Sequence, residues 1–99
     1  MLQITKTQNA DTLVFALAGR LDTNTAPELG EKIEALSYEV KNLVFDFTEL
    51  EYISSAGLRV MLNAQDVMDK QGRMVIKNAS DSIREILKVT GLTEILTLE

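Results

Sequence analysis

The apolar segment Leu43–Phe47 constrains the fold more than any other part of the chain. Its sequence, Leu-Val-Phe-Asp-Phe, is rich in residues that favour β-strands, and such a near-continuous apolar run is typical of a central strand covered on both faces. Helical patterns flank it, because apolar residues recur every three or four positions over residues 26–36 and 58–68. A helix that connects two strands of one sheet makes those strands parallel. The segment therefore predicts an α/β fold with parallel strands at its centre.

The residues before this segment predict a β-hairpin and a first helix. Residues 2–7 alternate polar and apolar side chains, residues 13–18 form a second apolar segment, and Asn9-Ala10-Asp11 between them has the composition of a turn. The Thr25–Glu28 pair has the spacing of a capping box at the start of the first helix. We expect this helix to end between Ser37 and Glu39.

The residues after the segment predict one further strand, Met74–Ile76, and a third helix capped by Ser80. Gly91 lies where a C-terminal cap of that helix belongs, and Ile95-Leu96 predicts a short final strand. No repeat, low-complexity tract or linker divides the chain, so residues 1–99 are expected to form a single domain. The predicted fold is an α/β sandwich with a mixed, mostly parallel sheet of four to five strands and three main helices.

The composition excludes several classes of function. The sequence contains no Cys and no His, which removes thiol nucleophiles, disulfides, imidazole bases and most transition-metal sites. The five glycines are scattered, so there is no phosphate-binding loop and no dinucleotide fingerprint. We therefore expect a protein that is not an enzyme and that uses no cofactor and no metal.

Charge and hydropathy narrow the range of partners. The net charge of −5 argues against nucleic acid as a partner. It would suit a protein partner with a basic face, although mild acidity is also a common route to solubility. No apolar run approaches the roughly twenty residues of a membrane span, and residues 1–7 contain no signal-like apolar block. The expectation is a cytoplasmic protein without membrane insertion.

The segment most informative about function is residues 46–58, where a buried strand leads through an expected loop at Leu50–Ile53 into Ser54–Gly57 at a helix N-terminus. One of the two serines can act as the N-cap, which satisfies an orphan backbone N–H. Gly57 is unusual in a first helical turn, where Ala is better by about 0.5–1 kcal/mol. Local pattern leaves two explanations for Gly57 open: the approach of another surface to the backbone, or close packing of the helix on the sheet.

This segment resembles the signature of the anti-sigma-factor antagonists, the bacterial STAS-domain family. The resemblance rests on parts of the chain that follow the family's order and spacing: Asp46-Phe47-Thr48, Tyr52-Ile53 and Ser54–Leu58, then Gly19–Asp22 with Thr25-Ala26, Gly72 before Met74–Ile76, and Val89–Leu92. It extends over nearly the whole chain and implies a single STAS domain. A STAS-like fold agrees with the order of strands and helices expected from the residues alone.

The resemblance implies a role for Ser55, which occupies the position of the family's phosphoacceptor. Ser54 stands where the family has Asp and is the second candidate for modification. The expected partner-binding residues are Asp22, Thr23, Asn24, Ser54, Gly57 and Leu58. Local pattern also allows Thr23 and Asn24 to act only as caps and Leu58 only to pack. The resemblance further implies that the loop of Asp22 lies beside the Ser55 turn.

The family implies a binding cycle rather than a reaction catalysed by this chain. An unphosphorylated antagonist binds an anti-sigma-factor serine kinase and so frees the sigma factor. Phosphorylation, here expected at Ser55, ends the binding, and a serine phosphatase restores the first state. The alternative is a non-phosphorylated STAS scaffold or regulatory subunit of a transport system, whose binding would not depend on residue 55. Catalysis ranks third, because it needs a Lys or carboxylate within hydrogen-bond reach of Ser55 Oγ.

Overall fold

The four strands of the protein form one mixed sheet in a computed structural model that describes residues 1–99. The elements in chain order are β1 Leu2–Asn9, β2 Thr12–Leu21, α1 Ala26–Glu34, β3 Asn42–Ile53, α2 Ser55–Asp69, β4 Arg73–Lys77, α3 Asp81–Val89 and a short 3-10 helix at Leu92–Glu94. The sheet order is β1-β2-β3-β4, with β1 antiparallel to β2 and the other pairs parallel. This topology confirms the predicted mixed, mostly parallel sheet with three main helices.

The helices cover one face of the sheet only. Buried side chains alternate along the strands and form one core with helix residues such as Leu29 and Met61. On β3, Leu43 and Phe45 face this core, whereas Val44 between them is half-buried on the open face. The prediction that this strand is covered on both faces is therefore wrong. A β-branched residue such as Val44 fits a pleated, half-exposed surface as well as an interior, so the run looks continuous in sequence.

Three aromatic rings pack together on the core face of the two central strands. Phe15 and Phe45 occupy paired positions of β2 and β3 with ring centroids 5.8 Å apart, and Phe47 lies 6.4 Å from Phe45. All three side chains are fully buried, and burial of a side chain of this size contributes about 1.5–3 kcal/mol. This packing fixes how β2 and β3 lie side by side, and the candidate site is built at their ends.

Helix α1 begins and ends differently from the sequence prediction. Thr25 occupies the N-cap position without a side-chain cap, because its hydroxyl accepts from the Asp22 N–H at 2.9 Å and donates to the Arg20 carbonyl at 2.8 Å. The predicted capping box is therefore absent. The helix stops at Glu34, before the expected end. The Ser37 hydroxyl accepts from a backbone N–H two residues on, and such local bonds compete with helical hydrogen bonding.

Helices α2 and α3 both begin at serine caps. Ser54 caps α2, and Ser80 Oγ accepts from the Ile83 N–H at 3.2 Å at the start of α3. Gly91 follows α3 with φ of 78°, the left-handed conformation that glycine adopts without steric cost, which confirms the predicted C-terminal cap. The longest helix is α2 with 15 residues. No helix combines the length and apolar character needed to cross a membrane.

The strand expected at Ile95-Leu96 is absent. The N–H groups of these two residues donate to the carbonyl of Leu92 at 3.0 and 2.7 Å, in a 3-10 turn. Strand-like pairing occurs two residues later, as a single parallel bridge between Leu98 and Ile76. Of this pair, Leu96 is buried in the core whereas Ile95 is 55% exposed, and neither residue extends the sheet.

Strand β3 continues to Ile53, through residues that sequence reasoning assigns to a loop. Six residues of β2, Ala16–Leu21, lie alongside eight of β3, Asp46–Ile53, so β3 carries two extra residues as bulges. In this stretch the buried positions are Phe47, Leu50 and Ile53, every third residue instead of every second. Bulges bend and twist a strand, and these two set the direction in which the chain leaves the sheet towards α2.

Asp46 holds the first bulge in place. Its Oδ1 accepts from the Thr48 N–H at 3.0 Å, the Thr48 hydroxyl at 2.6 Å and the Asn78 side-chain amide at 3.2 Å. Because Asn78 follows β4, Asp46 also ties the end of β4 to the middle of β3. These hydrogen bonds, above all that of the Thr48 hydroxyl, hold the pKa of the Asp46 carboxyl below its usual value.

The substitution Asp46→Asn tests this role through pH. The folded-state pKa lies below the unfolded value of about 3.9, so the stabilisation is present above about pH 4 and is lost as the pH falls through the folded pKa. We expect the substitution to cost about 1 kcal/mol at neutral pH, allowing for solvent screening, and to reduce the loss of stability on acidification. Urea unfolding at neutral pH and near pH 3 measures both effects.

The matched control is Asp66→Asn, at an exposed carboxylate on α2 that makes no hydrogen bond. This substitution should leave both the stability and its dependence on pH close to those of the unmodified chain. Equal effects of the two substitutions would contradict the role assigned to Asp46.

Candidate functional site

The candidate site lies where β2 and β3 end side by side. Leu21 and Ile53 are the last paired residues of the two strands, and the Ser54 N–H donates to the Leu21 carbonyl at 2.9 Å. The chain then continues into the Asp22 loop on one side and into α2 on the other. The structure thus brings the Asp22 loop next to the turn that carries Ser55, although the two segments are more than thirty residues apart in sequence.

The two serines of this turn have different environments. Ser54 is the N-cap of α2 in extended conformation, and its Oγ accepts from the Gly57 N–H at 3.4 Å. Ser55 is the first residue of the helix and is exposed, and its hydroxyl makes no hydrogen bond within the protein. The capping role therefore belongs to Ser54, and the Ser55 hydroxyl is free for another group to reach.

Gly57 lies beneath the site and not on its surface. It is buried, and a Cβ at this position would lie 2.8 Å from Leu21 Cγ, 2.9 Å from the Leu21 carbonyl and 2.8 Å from Ile53 Cγ1. Of the two explanations open from sequence, the structure therefore shows close packing of helix on sheet. A partner cannot reach Gly57 in this fold, which corrects its place among the expected contact residues.

The loop after β2 is organised by the Asp22 carboxylate. Its Oδ1 accepts from the backbone N–H groups of Asn24 at 3.0 Å and Thr25 at 3.1 Å, with the Thr25 hydroxyl 3.2 Å away. Partial burial by itself would raise the pKa of Asp22, but these hydrogen bonds outweigh it and hold the pKa below its usual value. Thr23 and Asn24 are exposed, and their side chains make no capping bond. The loop therefore presents an ionised carboxylate and two free polar side chains.

Sequence reasoning missed Arg20 and Tyr52, which adjoin this loop. They face each other across β2 and β3, and the Arg20 guanidinium carbon lies 4.2 Å from the centroid of the Tyr52 ring. Arg20 Nε is also 3.7 Å from Asp22 Oδ2, so one cation contacts both an aromatic ring and a carboxylate. Only the register set by the β3 bulges pairs these two residues, and no local pattern indicates that register.

The site is an open surface, and the cavities of the protein lie elsewhere. The largest cavity, of about 270 Å³, is lined by Phe15, Lys32, Val40 and residues around them, at the opposite ends of the central strands. None of the three cavities includes Ser54, Ser55 or Asp22. No Lys or carboxylate is hydrogen-bonded to Ser55 Oγ. The side chains of this surface are exposed or half-buried.

The fold is that of a STAS domain. The family model of the STAS domain matches residues 3–99, and the chain belongs to this family. Within the family, the chain is 32% identical over 98 residues to the anti-sigma-B factor antagonist of Listeria monocytogenes, covering 95% of this chain and 84% of that protein. It is 28% identical over 92 residues to the anti-sigma-B factor antagonist of Bacillus subtilis, covering 92% of this chain and 84% of that protein.

Solved structures show the same fold at lower sequence identity. An anti-sigma factor antagonist from Mycobacterium paratuberculosis has a TM-score of 0.87 at 22% identity, covering 99% of this chain and 85% of that one. The Bacillus cell fate determinant SpoIIAA in its phosphorylated form has a TM-score of 0.75 at 21% identity, covering 100% and 91%. A sulfate transporter family protein from Wolinella succinogenes has a TM-score of 0.78 at 17% identity, covering 92% and 75%. The fold is therefore shared by proteins of different function.

The close packing at Gly57 generates a prediction about stability. Gly57→Ala should destabilise the protein by about 1–3 kcal/mol, because its methyl group meets Leu21 and Ile53. Gly30→Ala is the matched control, since Gly30 is also helical and its nearest contact would be Val60 Cγ2 at 4.0 Å. That substitution should raise stability by about 0.5–1 kcal/mol. Urea unfolding measures both, and a Gly57 variant as stable as the unmodified chain would show that α2 is not held against β2 as described.

Proposed function

We propose that this chain is an anti-sigma-factor antagonist, a protein-binding module switched by phosphorylation of Ser55. Without phosphate it binds an anti-sigma-factor serine kinase, which then releases its sigma factor. The kinase transfers the terminal phosphoryl group of ATP to Ser55 Oγ, with release of ADP and of the hydroxyl proton, and the complex dissociates. A serine phosphatase hydrolyses the phosphate and restores binding. The observation that carries this proposal is the free, exposed hydroxyl of Ser55 beside the Asp22 loop.

The relatives support this function over the other uses of the fold. The sequence relatives that cover most of the chain are named as anti-sigma-B factor antagonists, whereas the transporter protein resembles it at the level of fold alone. The phosphorylated form of SpoIIAA shows that a protein of this fold can carry a phosphate. These comparisons support an antagonist that can carry a phosphate over a passive scaffold, and the choice of Ser55 rests on its free, exposed hydroxyl.

The first turn of α2 can accept a phosphate without loss of the fold. Ser55 is exposed, and α2 has no acidic residue in its first turn. A phosphate adds about −1.5 to −2 charges, and the backbone N–H groups at a helix N-terminus favour negative charge. Phosphorylation should therefore leave the domain folded and change only the surface that it offers to a partner.

The docking surface combines the Asp22 loop with the start of α2. Its members are exposed or half-buried side chains from these two segments: Asp22, Thr23, Asn24, Ser54, Ser55 and Leu58. The ionised Asp22 fits a basic group on the partner, in keeping with the net charge of −5. A phosphate placed at the centre of a closely packed interface needs space and hydration that the interface cannot supply, so the partner is released.

Phosphorylation of Ser55 can be tested with the purified chain, its partner kinase and ATP. Peptide mass spectrometry should find one phosphate on Ser55, and Ser55→Ala should prevent it while the complex still forms. Ser54→Ala is the matched control. This variant should still be phosphorylated on Ser55, because Ser55 keeps its free hydroxyl. A phosphate on Ser54 alone would refute the assignment. Equal binding of the unmodified chain and Ser55→Asp would instead indicate a scaffold.

The contribution of Asp22 can be tested by Asp22→Asn, which keeps an oxygen for the hydrogen bonds of the loop and removes the charge. We expect about tenfold weaker binding to the kinase and a weaker dependence of binding on salt. Isothermal titration calorimetry at two salt concentrations measures both. Asp66→Asn removes an equal charge farther along α2 and should leave the affinity unchanged, and equal losses in the two variants would point to net charge alone.

A further inference from the structure

Arg59 shares one exposed face of α2 with Ser55. The two residues are four positions apart, which places their Cβ atoms about 5–6 Å from each other on a helix. Both are exposed. Gly57, which lies between them in sequence, and Val60, which follows Arg59, are buried. Any group attached to Ser55 Oγ is therefore within reach of the Arg59 side chain.

Arg59 has no partner of its own in the unmodified protein. The two ion pairs of the chain are Arg20–Asp22 and Lys77–Glu99, and Arg59 makes no hydrogen bond. Its neighbours three and four positions along the helix in either direction are uncharged: Ser55, Ala56, Leu62 and Asn63. A free guanidinium with five donors thus lies next to the position of modification.

The other arginine near Ser55 is already engaged. Arg20 contacts the Tyr52 ring at 4.2 Å and Asp22 at 3.7 Å. Arg20 therefore already has two partners, whereas Arg59 has none. The structure thus distinguishes Arg20, which is already paired, from Arg59, which is free.

We propose that Arg59 is the intramolecular counter-ion of a phosphate on Ser55. This inference rests on the proposed function and adds the residue that receives the new charge. An acidic group four residues before a basic one is the more favourable orientation on a helix, and a guanidinium matches phosphate geometry with two parallel hydrogen bonds.

The pairing makes phosphorylation a change at two surface positions. It adds negative charge at Ser55 and withdraws the free guanidinium of Arg59 from any partner that approaches α2. The other charged groups near this end of the sheet are Arg20 of β2, Asp22 in the loop that follows it and Glu51 of β3.

Phosphorus-31 NMR of the full chain tests the pairing without a kinase, with phosphoserine incorporated genetically at position 55. The phosphate titrates near pH 6, and a paired guanidinium lowers that midpoint. Arg59→Gln should raise the midpoint by about half a unit, and the difference should shrink in about 0.5 M sodium chloride. Arg73→Gln removes the same charge at the opposite end of the sheet and should leave the midpoint unchanged.

Each outcome decides the assignment. Equal midpoints for the unmodified and Arg59→Gln chains overturn the proposal, as does a shift caused by Arg20→Gln in place of Arg59→Gln. Because the phosphate is introduced without a kinase, these results do not depend on whether a kinase modifies Ser55. A failure of kinase phosphorylation with an intact Arg59 effect would count against the proposed function alone.

Discussion

The structure depends on the close approach of α2 to the end of β2. The Ser54 N–H bonds the Leu21 carbonyl at 2.9 Å, and Gly57 leaves no space for a side chain between the helix and Leu21. Without this contact the first turn of α2 would lie farther from the sheet, and the Asp22 loop would no longer adjoin Ser55. One hydrogen bond and one missing methyl group thus assemble a surface from segments far apart in sequence.

The sequence was sufficient to predict the elements that depend on local pattern. Alternation and helical periodicity give β1, β2, α2 and α3, and the parallel centre follows from strands joined by helices. The caps at Ser80 and Gly91 follow from side-chain chemistry and from backbone conformation. The predicted capping box failed because other local hydrogen bonds compete with it. At Thr25 the hydroxyl bonds the Arg20 carbonyl and the Asp22 N–H, and no local rule ranks those partners above a capping box.

The candidate site was partly predictable for a related reason. Resemblance to a family placed Ser55 and Asp22 together, and the structure adds that Ser54 performs the capping, which leaves the Ser55 hydroxyl free. Arg20 and Tyr52 escaped notice because their pairing requires the register between two strands. Register depends on how two strands pair, so it cannot be predicted from the local sequence around either residue.

The two bulges of β3 have a consequence for the length of the chain in the last part of β3, before α2 begins. Eight residues of β3 lie alongside six of β2, so β3 has two extra residues. These two residues determine which face of the sheet each later side chain of β3 points to. Deletion of a single residue between Thr48 and Tyr52 would rotate Ile53 out of the core and carry both serines to another side of the strand end. The number of residues between Thr48 and Tyr52 is therefore constrained, whichever residues occupy those positions. A substitution in this interval keeps that number, whereas an insertion or deletion would displace Ser54 and Ser55.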